Sequence, residues 1–70
     1  MTDNQTDALR WLMGRRGPFT SAELRWGIDV SARQARRAVA WALQVGLIEL
    51  WDAPDGRRRE YHSLIRRVEP

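Results

Sequence analysis

Seventy residues bound this chain to one small domain, which buries roughly 60% of its unfolded surface and can expect a stability margin of about 3–5 kcal/mol. With no cysteine and a single histidine, neither disulfides nor thiolate metal sites can support the fold, and no metal or cofactor is expected. All twelve basic residues are arginine against nine acids, giving a net charge of +3. The excess lies wholly in residues 30–70, with eight arginines and five acids, because residues 1–29 hold four of each. Arginine in place of lysine favours planar, bidentate contacts to phosphate and guanine. The apolar runs are too short to span a bilayer, and the polar Met-Thr-Asp-Asn-Gln start is unlike a signal peptide, so a soluble intracellular chain is expected.

Residues from about 4 to 15 predict a first helix with Leu9, Leu12 and Met13 on one stripe. Asp3 and Asp7 near its start and Arg15 and Arg16 near its end complement the macrodipole. Gly17 and Pro18 then stop it. Thr20 and Glu23 have the spacing of a capping box, and Phe19 and Leu24 that of a hydrophobic staple, so a short second helix is expected over 20–27 with Leu24 and Ile28 inward. Asp29, which tolerates a left-handed backbone, leads into a third helix over 31–45. Ser31 and Gln34 form its capping box, and Gly46 ends it.

On a helical wheel Ala35, Val39, Ala42 and Leu43 share one face of this third helix, opposite Arg33, Arg37, Ala40 and Gln44, with Arg36 at the margin. Its outer face thus carries three arginines and no acid, the profile of a helix that enters a DNA groove. Residues 47–65 then predict a β-hairpin: Leu47 to Trp51 is β-prone, and Ala53-Pro54-Asp55-Gly56 fits a turn beside Arg57, Arg58 and Arg59. A three-residue loop would put Ile48, Leu50, His62 and Leu64 on one face and Trp51, Arg59 and Tyr61 on the other; a one-residue slip would reverse the second strand. The first register is the expectation. Residues 66–70 read as a frayed tail.

The expected fold is therefore mainly α with a small β-hairpin, a single domain over 1–70 with its core between about 4 and 65. Leu9, Leu12, Leu24, Ile28, Val39, Leu43 and Ile48 are the expected core. Thr20, Glu23, Leu24, Ile28, Val30, Ser31, Arg37, Val39, Gly46, Leu47, Ile48 and Asp55-Gly56-Arg57, in this order and spacing, resemble a winged helix-turn-helix domain of bacterial and phage transcription regulators or excisionase-like accessory proteins. Asp29 stands where such domains commonly have glycine. The resemblance implies three helices plus a wing, double-stranded DNA as partner, and a home in the bacterial cytoplasm or a phage-infected cell. Because the sequence ends just beyond the wing, the long dimerisation or ligand-binding segments that many such regulators carry are not expected.

The candidate DNA-binding residues are Ser31, Arg33, Gln34, Arg36, Arg37 and Gln44 on the third helix and Arg57, Arg58 and Arg59 on the wing, which would lie along the backbone or minor groove. Trp11, Trp26 and Trp41 fall outside or beside their helices' apolar stripes. They are either part of a widened core or a surface for a homodimer or a second protein. Trp51 could stack on Arg59. His62 and Ser63 are strand neighbours that point to opposite faces, so no catalytic pair and no enzyme is expected. A protein-interaction module that reuses the same fold is the alternative to a DNA-binding regulator.

Overall fold

A computed structural model describes residues 2–52 and 59–65. It contains α1 (Asp3–Gly14), α2 (Ser21–Ile28), α3 (Ala32–Val45), β1 (Ile48–Asp52) and β2 (Arg59–Ser63). The layout is the expected one of three helices followed by an antiparallel hairpin. The expected turn at 53–56, Arg57, Arg58 and the tail at 66–70 lie outside the described residues.

Each helix begins with a reciprocal capping box: Thr2 with Gln5, Thr20 with Glu23, and Ser31 with Gln34. In each, the hydroxyl oxygen accepts the N–H three residues on while the longer side chain accepts the cap N–H, satisfying two otherwise orphaned donors. The first of these boxes starts α1 one residue earlier than the sequence suggests. At the other end α1 stops at Gly14, so Arg15 and Arg16 do not sit on its last turn. Arg15 takes an extended backbone, and its Nη2 donates to the Pro18 carbonyl (3.1 Å) and to Glu23 Oε2 (2.6 Å). The pair ties the end of α1 to the start of α2 across Gly17, which is left-handed at φ 80°.

Ala8 and Leu12 of α1, Phe19, Leu24 of α2, Ala38, Val39 and Ala42 of α3, Ile48 of β1 and Tyr61 of β2 form the core. Ala35 is buried as well. Leu9 and Ile28 are only half-buried, and Leu43 is 40% exposed, contrary to the wheel. The start of α1 lies beside Ala38, so the buried stripe of α3 is 35, 38, 39 and 42, turned away from Leu43. Leu43 lies instead beside β2.

The hairpin pairs Ile48 with Ser63, Leu50 with Tyr61 and Asp52 with Arg59. This is one residue slipped from the expected register. Directly opposed residues share a face, so Ile48 and Leu50 lie with Tyr61, whereas Trp51 lies with His62. Trp51 and His62 approach with ring centroids 5.5 Å apart, and Trp51 does not stack on Arg59, which is on the other face. The cause is Phe19. Its N–H donates to the Tyr61 carbonyl (2.9 Å) and its carbonyl accepts from the Tyr61 N–H (2.7 Å), so Phe19 adds a one-residue third rung outside β2. That rung turns the tyrosine inward, with its ring centroid 5.9 Å from that of Phe19.

Trp11 is packed against the core rather than outside it. Its ring meets Phe19 edge-on at 5.1 Å, lies under the Arg15 guanidinium, and fills the space where a Gly27 side chain would stand. The wheel of α1 alone misses this because the covering element is α2. Trp41 is also half-buried against the core, while Trp26 remains 72% exposed.

Gly27→Ala improves helix propensity by about 1 kcal/mol yet places a Cβ inside the Trp11 indole. Urea denaturation should show a net loss of about 1–3 kcal/mol, partly restored by adding Trp11→Leu.

Candidate nucleic-acid interface

α3 is held in place by its two ends. Before it, Asp29 adopts the left-handed backbone (φ 54°, ψ 60°), and the Val30 N–H closes onto the Arg25 carbonyl at 3.2 Å. After it, Gly46 is left-handed at φ 82°, and the Leu47 N–H bonds the Ala42 carbonyl at 2.8 Å, which satisfies the last turn. The alanine back of α3 lets it lie close to its neighbours. Its outer face is then fixed toward solvent.

On that face Ser31, Arg33, Gln34, Arg36, Arg37 and Gln44 are all exposed. No acid occurs in α3, and among the described residues the ion pair is that of Arg15 with Glu23, so no described acid neutralises Arg33, Arg36 or Arg37. Ser31 Oγ accepts the Gln34 N–H (3.1 Å) and Gln34 Oε1 accepts the Ser31 N–H (3.0 Å). The serine hydroxyl proton and the Gln34 amide hydrogens stay available as donors. A neutral Gln in this box, where Glu would cap as well, keeps negative charge off the start of the helix.

The three arginines fan apart. Arg37 lines a notch of about 270 Å³ with Gln34, Ala38, Thr2, Asn4 and Gln5, so the starts of α1 and α3 meet there. Arg36 lines an open groove of about 550 Å³ between the start of α2, the flank of α3 and β2, where Arg59 and Tyr61 lie opposite. A smaller notch of about 310 Å³ brings Arg36 beside Arg25, Ser21 and Ala22. Arg33 projects from the first turn of α3.

Of the three wing arginines, Arg59 is described. It opens β2, is exposed, and shares the groove with Arg36. Arg25 also belongs to this surface, although no motif in the sequence marks it. Its guanidinium lies 4.8 Å from the centroid of the exposed Trp26 ring, and its buried Nε has no hydrogen-bond partner. Asn4 and Gln5 likewise come beside Gln34 and Arg37 only through the packing of α1 on α3.

Ser63 and His62 lie on opposite faces of β2. Among the described residues no three His, Asp or Glu side chains gather as a metal-holding group, and no helix is long and apolar enough to cross a membrane. Scans against protein-family models, curated proteins and solved structures find no match to this chain.

Asp29 lies at the turn between α2 and α3 in a left-handed conformation that glycine adopts without steric cost, though at a greater loss of chain entropy. Asp29→Gly should preserve the fold and change stability by less than about 1 kcal/mol, whereas β-branched Asp29→Val should lose about 1–2 kcal/mol or more in the same denaturation measurement.

Proposed function

We propose that this domain is a winged helix-turn-helix that binds double-stranded DNA sequence-specifically, as a small transcription regulator or phage-type accessory factor. In this reading α3 enters the major groove, and the hairpin arginines lie along the backbone or minor groove. Its home would be the cytoplasm of a bacterium or a phage-infected cell.

One observation carries the reading. Arg33 and, one turn later, Arg36 and Arg37 crowd the N-terminal half of α3, where the positive end of the helix dipole disfavours cations and where a helix built only for stability takes acids. The cost is modest but it is repeated, and no described acid offsets it. A polyanion would. Phosphates gain from the helix start, from the guanidinium groups and from the free donor capacity of Ser31 and Gln34 together.

If Arg33, Arg36, Arg37, Arg59 and their neighbours neutralise about four to six phosphates, the slope of log K against log salt should be near −4 to −5. Arg33→Ala and Arg37→Ala should each lose about 1–3 kcal/mol of discrimination at a base pair they read, while Arg58→Ala should weaken all duplexes alike. Arg33→Glu separates function from fold: it should stabilise the domain by roughly 0.5–1 kcal/mol in denaturation while cutting duplex affinity at least about tenfold. Absence of duplex binding at about 50 mM salt would turn the reading over to a protein partner.

The 72% exposed Trp26 favours that second reading, or a homodimer on adjacent half-sites, over one in which the helices are fully used by DNA. Trp26→Glu should leave the circular dichroism unchanged. If it lowers the sedimentation mass or removes cooperative binding to a two-half-site duplex, Trp26 is the contact between copies.

A further inference from the structure

Arg25 and Arg36 come from different helices onto one notch of about 310 Å³, bordered by Ser21 and Ala22 of α2 and by Ala32 and Ala35 of α3. Ser21 and Ala32 open their helices, so two positive dipole ends border the notch together with two guanidinium groups. An anion would relieve this gathering of like charge. The acids nearest Arg25 in the sequence do not supply one, because Glu23 is held by Arg15, and Asp29 neither lines the notch nor pairs with Arg25. With alanine along its sides, the notch offers no grip to a bulky apolar side chain, whereas a compact oxyanion can come close.

Arg25 is set in place in advance. It is half-buried, its guanidinium lies 4.8 Å from the centroid of the Trp26 ring, and its Nε is enclosed without a hydrogen-bond partner. A guanidinium fixed by packing rather than by a protein acceptor keeps its remaining donors for a ligand and loses little freedom on binding one. We infer that Arg25 and Arg36 clamp one backbone phosphate of the bound duplex between α2 and α3, with Trp26 as the positioning residue that holds Arg25. The inference rests on the DNA reading above and adds to it a contact that seats α2 against one strand while α3 enters the groove. It also gives the exposed indole a use that requires no second copy.

The test follows a fluorescein-labelled duplex by anisotropy between about 50 and 300 mM salt, with the wild type, Arg25→Gln, Trp26→Ala and the double variant. Arg25→Gln should leave the urea midpoint unchanged and weaken selected and unrelated duplexes alike by about tenfold. It should also make the salt slope shallower by about 0.9, the share of one phosphate. Trp26→Ala should weaken binding about threefold, and the double variant no further than Arg25→Gln alone, because the ring acts through the guanidinium. If Arg25→Gln lowers the urea midpoint, Arg25→Lys decides: its charge should keep the slope, while the loss of the planar group still weakens binding about threefold.

A wild type that binds no duplex refutes the DNA reading and the clamp with it. A wild type with a steep salt slope that Arg25→Gln leaves unchanged overturns the clamp alone. A double variant much weaker than Arg25→Gln would put Trp26 itself on the partner, and a loss confined to the cooperative step on a two-half-site duplex would give it to a second copy. Tighter binding of single-stranded than of duplex DNA would make the indole a stacking platform for bases. Each of these overturns the positioning role. Displacement of the duplex by millimolar inorganic phosphate at constant ionic strength would assign the notch to a free anion and overturn the clamp as well.

Discussion

Phe19 joins the helical and hairpin parts of this domain twice, through its backbone and through its ring. Both of its main-chain groups are spent on Tyr61, its ring is fully buried between Trp11 and Tyr61, and its position just before the Thr20 cap fixes the angle at which α2 starts. Burying such a ring contributes about 1.5–3 kcal/mol, a large part of the margin available to a chain of this size. The direction of α2 then sets Asp29, and Asp29 sets α3. The placement of the arginine surface is thus traced back to one aromatic residue outside every helix.

Around this hub the domain relies on close approach more than on bulk. Ala8, Ala35, Ala38 and Ala42 are buried and contribute little apolar area each, but their small side chains let helix backbones come near. The ion pair of Arg15 with Glu23 adds orientation more than stability, since both side chains remain substantially open to water. What holds the loaded start of α3 together is therefore local: a capping box at its first turn and an alanine back beneath it.

The features legible in the sequence were those written in consecutive residues. Thr20 with Glu23, Ser31 with Gln34, Asp29 and Gly46 mark the bounds of α2 and α3, and the period of apolar residues in α3 assigns its outer face. The features that were not legible needed a partner distant in sequence. The hairpin register follows from Phe19 pairing with Tyr61, the burial of Trp11 from the missing side chain of Gly27, and the exposure of Leu43 from where α1 and β2 happen to lie. A wheel can show that Arg33 and Arg37 face outward, yet the placing of Arg36 and Arg59 along one groove depends on a register that no local pattern sets.

The environments of three tryptophans have a spectroscopic consequence. Trp11 is wedged between Phe19, Gly27 and Arg15, so its emission reports whether α1 and α2 are packed. Trp26 is bathed in solvent beside the Arg25 guanidinium, and Trp51 is half-open against His62, so a water-soluble quencher reaches both while the packed domain shields Trp11. Single-tryptophan versions of the chain would therefore carry intrinsic, unlabelled reporters for two separate events. One follows the closing of the helical core and the other follows contact at the surface of α2.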